Sequence, residues 1–312
     1  MIYDAIIAGG GPAGYSAALY LAMAGYSALV IERMTEGGQA ALTDTIENYP
    51  GFDSGIGGFE LGMRMKNGAE RFGAESIYAN ISDIYPDGDI KRVIADGKEF
   101  SALALILATG ASPRRLGLEN EEALTGMGVH YCAHCDGRFY KDKTVAVVGG
   151  GNSAIEDCIY LSKLAKKVIL IHRRDGFRAS RYNQEKLTGK DNIEYRFNSR
   201  LTELIVDDGR LTKIEITDSS DKKEALPIDG VFVSIGRDPE TSLVKDKLLL
   251  DERGYVIADE TTRTSRDGVF AAGDLRTKPL RQVVTAASDG AVAAVMAEEY
   301  IEKINLKNRT SM

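Results

Sequence analysis

The stretch Ala5-Ile6-Ile7-Ala8-Gly9-Gly10-Gly11-Pro12-Ala13-Gly14 is a short apolar run that leads directly into a glycine-rich loop. Such a run predicts a buried parallel strand, and the Ala- and Leu-rich segment Tyr15–Ala24 after the loop predicts a helix. A second apolar run, Ala28–Ile31, ends at Glu32. The segment from Ala5 to Glu32 is therefore predicted to be one βαβ unit of the α/β class.

The same pattern occurs a second time at the same spacing. The apolar run Thr144–Val148 is followed by Gly149-Gly150-Gly151-Asn152-Ser153-Ala154, then by a predicted helix, and then by the strand Val168–Ile171, which ends at His172. A repeat of this kind predicts two homologous lobes rather than one larger sheet. The expected fold is α/β with two Rossmann-like, three-layer (ββα) nucleotide-binding domains.

Both loops have the glycine pattern that binds the pyrophosphate of a dinucleotide. A lone match is weak evidence, but here each loop follows a strand and opens a helix, so backbone N–H groups and the helix dipole face the same point. The predicted loop contacts are Gly9, Gly11, Pro12, Ala13 and Gly14 in the first copy, and Gly149, Gly151, Asn152, Ser153 and Ala154 in the second.

The residue at the end of the second strand indicates which nucleotide each copy binds. Glu32 can accept hydrogen bonds from ribose hydroxyls, which predicts FAD in the first copy. His172 is followed by Arg173, Arg174 and Arg178, whose guanidinium groups can pair with a 2′-phosphate, which predicts NADPH in the second. The alternative is that these arginines form a solvated basic face.

Composition excludes several other classes of protein. The net charge of −7 over 312 residues argues against a nucleic-acid surface, and no apolar run is long enough to span a membrane. Met1–Asp4 lacks the basic region of a signal peptide, and three cysteines are too few for a disulfide framework. We therefore expect a cytoplasmic protein.

The segment Cys132-Ala133-His134-Cys135-Asp136 carries the second chemical signal. A C-x-x-C pair near βαβ units is typical of dithiol–disulfide chemistry. Zinc is the alternative, because His130 and His134 lie close by, but no second pair of ligands exists and we predict no metal. Asp136 could exchange a proton with the dithiol; His134 could stabilise a thiolate or have no role. Cys158 is predicted to be a buried, inert residue.

These motifs together resemble the low-molecular-weight thioredoxin reductases. The resemblance covers nearly the whole chain and includes Gly37–Gln39, Glu47–Gly51, Ala108–Gly110, Gly236–Pro239, Gly268–Asp274 and Arg281-Gln282. It implies an FAD domain in two segments, 1–113 and 243–312, with an NADPH domain, 114–242, inserted between them. It also implies a homodimer whose NADPH domain rotates between turnovers and whose partner is thioredoxin.

The resemblance also assigns roles to individual residues. It implies that Cys135 faces the flavin, that Cys132 attacks thioredoxin and that Asp136 is the acid. Further cofactor contacts are implied at Arg33, Gly38, Gln39, Asn48, Ala108, Thr109, Gly110, Ile235, Gly236, Gly273, Asp274, Arg281, Gln282 and Val283. From local sequence alone, Asp274 could equally be an ordinary turn aspartate.

The expected function is electron transfer from NADPH through FAD and the Cys132/Cys135 pair to the disulfide of thioredoxin. Two alternatives stay open. One is a reductase of another small redox protein, either glutaredoxin-like or linked to a peroxidase. The other is a non-catalytic module that binds flavin or zinc. His134 departs from the small or β-branched residues more familiar at that position, which bears on the identity of the partner.

Overall fold

The computed structural model describes residues 1–43 and 45–310, with side chains described up to residue 307. The chain divides into two compact units, one formed by residues 1–112 with 238–312 and the other by residues 113–237. The helices are α1 (Pro12–Met23), α2 (Gly58–Glu70), α3 (Ala133–Asp136), α4 (Asn152–Leu161), α5 (Arg181–Glu185) and α6 (Val283–Thr310). The strands are β1 (Ile2–Ala8), β2 (Ala28–Glu32), β3 (Glu75–Tyr78), β4 (Ile81–Tyr85), β5 (Lys91–Ala95), β6 (Lys98–Leu107), β7 (Ala111–Pro113), β8 (Val129–His130), β9 (Thr144–Val148), β10 (Lys167–Ile171), β11 (Ile193–Arg196), β12 (Ser199–Asp207), β13 (Arg210–Asp218), β14 (Lys223–Pro227), β15 (Gly230–Val233), β16 (Arg237–Pro239) and β17 (Val269–Ala271).

The first unit is built on a seven-stranded sheet. Strands β3, β2, β1 and β6 run parallel in that order, and β17 pairs parallel with the second half of β6. Strands β5 and β4 continue the sheet antiparallel from the first half of β6. Alternate residues of β1 point to opposite faces: Ile7 packs with α1 and α6, and Ile6 packs with residues of β4, β5 and the segment 244–275.

The second unit repeats this three-layer plan with a smaller sheet. Its parallel sheet has the order β11-β10-β9-β15-β8, and the antiparallel strands β12, β13 and β14 form a separate meander. Val145 and Val147 of β9 pack with α4, whereas Ala146 and Val148 pack with the meander. Layers of helix, parallel sheet and antiparallel strands are therefore common to both units, and the predicted pair of Rossmann-like lobes is confirmed.

Three helix boundaries differ from the sequence prediction. The patterns predict helix starts at Tyr15 and Ile155, whereas the helices after the glycine loops begin at Pro12 and Asn152, inside the loop motifs, because these residues already have helical backbone angles. The alanine-rich segment from Arg281 to Lys303 predicts a last helix, which begins at Val283 instead, because the Gln282 carbonyl accepts a hydrogen bond from Ala286 N–H and makes Gln282 the N-cap. No described helix combines the length and apolar character that a membrane span needs.

Candidate functional site

The first glycine loop leaves no room for side chains at two of its positions. Gly9 has a φ of +108°, and a Cβ there would lie 2.4 Å from the Ala108 carbonyl oxygen. A Cβ on Gly14 would lie 1.9 Å from the Gly9 oxygen. Around Gly11 the nearest atom to a Cβ would be 4.0 Å away, so this side of the loop is open. The loop is therefore closed towards the sheet and open where a phosphate would approach the start of α1.

Several predicted FAD contacts meet at this loop. Glu32 Oε2 accepts a hydrogen bond from Gly10 N at 2.6 Å, and Glu32 Oε1 accepts one from Met34 N at 2.9 Å. A Cβ on Gly38 would lie 3.4 Å from Gly11 Cα, and one on Gly273 would lie 3.0 Å from Ala13 Cβ. Glu32 thus shapes the loop as well as presenting a carboxylate beside it.

The other predicted residues of this unit have varied surroundings. Asn48 Nδ2 donates a 3.0 Å hydrogen bond to Gln282 Oε1, so two predicted contacts far apart in sequence meet. The Arg281 guanidinium donates to the carbonyl oxygens of Asp274, Arg276 and Lys278. Thr109 Oγ1 donates to the Glu240 oxygen at 2.8 Å, and a Cβ on Gly110 would meet no atom within 4 Å. Arg33 and Gln39 are exposed, Ala108 is buried and Val283 is partly buried.

A buried charged cluster, absent from the sequence predictions, supports the Gly273–Asp274 turn. Asp289 accepts two hydrogen bonds from Arg276, at 2.8 Å each, one from Lys278 at 2.8 Å and one from Gly273 N at 2.9 Å. Burial alone raises the pKa of Asp289, but the two cations more than offset this and hold its pKa below the ordinary value. Asp289 therefore stays ionised and fixes the backbone of the turn.

A second cluster supports the segment that contains Gly37 and Gly38. The buried Glu36 carboxylate accepts hydrogen bonds from Lys66 and Tyr78, and these bonds lower its pKa to about 2. Helix α2 lies against the same segment, because a Cβ on Gly62 would be 2.6 Å from the Glu36 oxygen. Gly62 was the available sequence signal in this helix, but only the fold shows which residue it contacts.

The second glycine loop has the same construction in the other unit. Gly149 N donates to the Ile171 oxygen at 3.0 Å, just as Gly9 N donates to the Ile31 oxygen at 2.9 Å. A Cβ on Gly149 would lie 2.4 Å from the Ser234 oxygen, which corresponds to the Ala108 oxygen of the first loop. Ala154, the variant third position, fits without exposed surface.

His172 and the arginine segment close over this loop. A Cβ on Gly150 would lie 2.2 Å from the His172 ring, and Arg178 N donates to the Gly150 oxygen at 2.7 Å. Burial and then the neighbouring arginines lower the pKa of His172, which keeps the ring neutral, and its buried Nε2 has no hydrogen-bond partner. The side chains of Arg173, Arg174 and Arg178 are exposed, and none forms an ion pair with another described residue.

The residues after β15 complete this side of the second unit. Ser234 Oγ donates to the carboxylate of Asp157, a half-buried residue of α4, and desolvation raises the pKa of that carboxyl. Gly236 has a φ of +115°, and its oxygen accepts a 3.0 Å hydrogen bond from Arg114 N. Ile235 packs against the core shared with the meander. Asn152 Oδ1 accepts from Ser180 N at 2.8 Å, and Ser153 is exposed.

The C-x-x-C pair forms a disulfide at the start of a single helical turn. Cys132 is the N-cap of α3, the Cα atoms of Cys132 and Cys135 are 5.3 Å apart, and Asp136 N donates to the Cys132 oxygen at 3.1 Å. His134 is exposed, and its ring centroid lies 4.2 Å from that of Tyr160. The disulfide is partly exposed, which a group that exchanges with a protein partner requires.

Asp136 has a neighbour that the sequence predictions considered only as a metal ligand. His130 Nδ1 lies 3.0 Å from Asp136 Oδ2, and His130 Nε2 lies 2.7 Å from the Tyr140 hydroxyl. The first contact has the distance of an ion pair but not the alignment of a hydrogen bond. The pair links Asp136 to the interior of the second unit.

The third cysteine is unsuited to redox chemistry. Cys158 is fully buried in α4, and burial raises the pKa of its thiol to about 12. Its predicted role as a small core residue is confirmed. In the part of the chain that the structure describes, no group of three or more His, Cys, Asp and Glu side chains could hold a metal ion.

Comparison with known proteins identifies the family. The model of the pyridine nucleotide-disulphide oxidoreductases matches residues 3–290. The chain belongs to this family. A thioredoxin reductase from Listeria innocua is 44% identical over 304 residues, which cover 97% of this chain and 95% of that protein. The crystal structure of the thioredoxin reductase from Streptococcus pyogenes superposes with a TM-score of 0.90 and 42% identity, covering 97% of this chain and 99% of that one.

These matches confirm three predictions from the sequence. The resemblance to thioredoxin reductases extends over nearly the full length of this oxidoreductase, the two-lobed α/β fold is that of solved family members, and the chain is an enzyme. Family membership also implies that the oxidoreductase uses a flavin and a nicotinamide nucleotide.

Proposed function

We propose that this chain is an FAD-dependent thioredoxin reductase that takes its electrons from NADPH. The observation that carries the proposal is the Cys132–Cys135 disulfide at the start of a helical turn, in a chain that also has two nucleotide loops. A disulfide alone would suit a structural role, and two nucleotide loops alone would suit many dehydrogenases. Their combination suits an enzyme that passes electrons from a nucleotide to a disulfide.

The proposed FAD site lies in the unit formed by residues 1–112 and 238–312. The open face of Gly11, the unobstructed Gly110 and the carboxylate of Glu32 fit a pyrophosphate followed by an adenosine ribose. Asp274 and the Asn48–Gln282 pair are the residues that would hold the remaining polar groups of the cofactor. When bound, FAD supplies a carrier that accepts two electrons from a nicotinamide and releases them to a disulfide.

The proposed NADPH site lies in the unit formed by residues 113–237. Three exposed guanidinium groups follow β10, and none is neutralised by a described carboxylate. A neutral His172 adds no negative charge where Glu32 stands in the other unit. This charge distribution fits a nucleotide with a 2′-phosphate better than one without it.

The protein chemistry of the proposed cycle involves three residues. Reduction of the Cys132–Cys135 bond takes up two electrons and two protons and gives two thiols. The Cys132 thiol then loses its proton to solvent, and its thiolate attacks the thioredoxin disulfide, whose S–S bond breaks as a mixed disulfide forms. The Cys135 thiol likewise loses its proton to solvent, and its thiolate attacks the Cys132 sulfur, restores the internal disulfide and releases thioredoxin as a dithiol. Asp136 donates the proton that each departing sulfur needs.

The partner, the oligomeric state and the compartment belong to the same proposal. We propose a cytoplasmic homodimer that acts on thioredoxin, in line with the printed name of the Listeria innocua relative. The partial exposure of the disulfide and the exposed Arg138 and Phe139 that follow it suit docking of a protein.

The test is an assay of the purified protein with its bound flavin. Chromatography of the released cofactor distinguishes FAD from FMN, and light scattering gives the oligomeric state. NADPH oxidation is followed with a thioredoxin from the same genome and, in parallel, with a glutaredoxin. Rapid thioredoxin-dependent oxidation that disappears in the Cys132→Ser, Cys135→Ser double variant is expected. A colourless protein, or a yellow one that reduces only glutaredoxin, would contradict the proposal.

A further inference from the structure

His130 is a buried imidazole placed between the proposed acid and a tyrosine. Its side chain is 3% exposed, that of Asp136 is 16% exposed, and the Nδ1–Oδ2 distance is 3.0 Å. On the other side of the ring, Nε2 and the Tyr140 hydroxyl are 2.7 Å apart. Strands β8 and β15 pair with His130 opposite Phe232, whose ring stacks on the imidazole with centroids 5.2 Å apart. The ring is thus held in one orientation.

Asp136 must carry a proton at neutral pH in order to act as the acid, and His130 is placed to provide that proton. An ordinary aspartic acid titrates near pH 4, so at neutral pH only about one in a thousand carries a proton. An ordinary histidine titrates near pH 6.5, so a substantial fraction is protonated at neutral pH. A carboxylate next to an imidazolium can draw on that proton without first capturing one from dilute solution.

We propose that His130 is the positioning residue and proton store of Asp136, so that the pair, rather than Asp136 alone, is the unit that protonates the departing sulfur. This inference rests on the proposed function in so far as it takes Asp136 as the acid of thiol–disulfide exchange. It adds a role for a residue that touches neither the disulfide nor a cofactor in the contacts described above.

Tyr140 allows both charge states of the ring without movement of heavy atoms. Burial and then the charges of Asp136 and Asp229 raise the pKa of Tyr140 to about 12, so its hydroxyl keeps its proton. When His130 is charged, Nε2–H donates to the tyrosine oxygen; when it is neutral, the hydroxyl donates to Nε2. Lys143 is a further charged group at this cluster, and its Nζ lies 5.3 Å from the centre of the Tyr140 ring.

The proton balance of the step is simple. In the loaded pair, an imidazolium faces a carboxylate, and the pair carries one transferable proton. A rotation of the partly exposed Asp136 carboxylate aligns Oδ2 with Nδ1, and the proton then passes to Oδ2 and on to the thiolate that leaves when an S–S bond breaks, which gives a thiol. The unloaded pair is a neutral imidazole facing a carboxylate, and it regains one proton from solvent through the partly exposed Asp136. No electrons move through the pair.

The experiment compares two disulfides with the full-length holoenzyme. Hydroxyethyl disulfide releases an aliphatic thiolate, which needs a proton, whereas dithionitrobenzoate releases a stable aromatic thiolate, which does not. The enzyme is reduced with NADPH, and its reoxidation by each disulfide and by thioredoxin is followed from pH 4 to pH 9. The variants are His130→Gln, His130→Phe, which keeps the stacking on Phe232, and Tyr140→Phe. His134→Gln is the matched control, because it removes a nearby histidine outside the pair.

The expected loss has a defined dependence on pH. Without His130, Asp136 must take each proton directly from solvent, where protons become scarcer as the pH rises. The ratio of parent to His130→Gln rates should therefore rise with pH across the acidic range and then level off, at about tenfold to a few hundredfold. This should hold for thioredoxin and hydroxyethyl disulfide but not for dithionitrobenzoate. Tyr140→Phe should lie between, and His134→Gln should follow the parent.

Each outcome decides the inference. A constant ratio across pH, or an equal loss with dithionitrobenzoate, would mean that His130 only supports the fold around the disulfide. Flavin content and NADPH-dependent reduction of ferricyanide identify any variant that is misfolded, and His130→Phe then replaces His130→Gln. If the parent fails to reduce thioredoxin but shows the expected contrast between the two small disulfides, the proposed function fails and the His130–Asp136 pair stands.

Discussion

Replacing Arg173 and Arg178 with Ala should convert a strong preference for NADPH into a weak one. Both guanidinium groups follow β10 and are exposed, and neither forms an ion pair with a described residue, so their charge is available to a ligand. The backbone around Arg178 is nevertheless fixed, because its N–H is bonded to the Gly150 oxygen of the glycine loop at 2.7 Å. The substitutions should therefore remove contacts to the 2′-phosphate without changing the shape of the loop.

The size of the effect follows from the exposure of these side chains. A charge-assisted hydrogen bond contributes roughly 1.5–3 kcal/mol, and the lower end applies where water screens the pair. About 1.5 kcal/mol corresponds to roughly tenfold in affinity, so losing two contacts should raise the Michaelis constant for NADPH by up to about 100-fold. Arg174 remains, so binding should weaken rather than disappear. The Michaelis constant for NADH should change little.

The assay measures steady-state kinetics with both coenzymes at low and moderate salt. Arg181→Ala is the matched control, since it removes one positive charge a short distance along the chain, from a side chain that pairs with Glu185 instead. The parent's Michaelis constant for NADPH should rise with salt more steeply than that of the double variant. Equal use of NADH and NADPH by the parent, or an Arg181→Ala effect as large as that of the double variant, would refute the reasoning.

Three further predictions concern the thiols, the first loop and acid stability. Cys132→Ser should leave a Cys135 thiolate that gives a long-wavelength charge-transfer band with the flavin, whereas Cys135→Ser should show no band and should trap thioredoxin as a mixed disulfide; the opposite spectra would exchange the two roles. Gly14→Ala should abolish flavin retention, because the added Cβ would lie 1.9 Å from the Gly9 oxygen, and a purified variant that is still yellow would contradict this geometry. Ala154→Gly, at the corresponding position of the second loop, should change the affinity for NADPH by no more than a few-fold in binding titrations. The pKa of Glu36 is lowered to about 2, so the Glu36 carboxylate should stabilise the fold fully above pH 4.5 and progressively less as the pH falls towards 2, because the unfolded chain takes up the proton first. The melting temperature of Glu36→Gln should therefore converge with that of the parent as the pH falls through this range. A difference in melting temperature that stays constant with pH would contradict this prediction.

Local patterns predicted the fold because the strands of a parallel sheet are buried on both faces. The apolar runs around β1, β2, β9 and β10 needed no long-range information, and the repeat of strand, glycine loop and helix indicated two lobes. The starts of α1 and α4 were predicted too late, because a glycine loop and the first helical turn overlap in sequence. The start of α6 was predicted too early, since Arg281 binds the turn before it rather than the helix.

Sequence patterns missed residues whose partners lie far away in the sequence or do not follow the periodicity of a helix or strand. Asp289 lies within the last helix and looks like a surface residue, yet it receives Arg276 and the Gly273 N–H. His130 could be noticed only as a possible metal ligand, because its partners become visible once α3 and the following turn are folded. Glu36 shows no motif at all. Charge clusters of this kind depend on tertiary contacts, and no local periodicity reports them.

The two glycine loops differ in a way that the local charge pattern alone does not explain. In both units, the second glycine of the loop accepts a backbone hydrogen bond from the segment after the second strand: Gly37 N to the Gly10 oxygen at 2.9 Å, and Arg178 N to the Gly150 oxygen at 2.7 Å. In the first unit that segment must be glycine, because a Cβ on Gly37 would lie 3.0 Å from Gly62 Cα of α2. Arg178 is exposed, and its backbone N–H makes the same contact to the loop that Gly37 N makes in the first unit. One shared backbone contact thus fixes the loop beside Glu32 in one unit, and in the other it leaves an exposed guanidinium group beside the loop. We therefore expect that the side chain at position 178 can change without altering the loop.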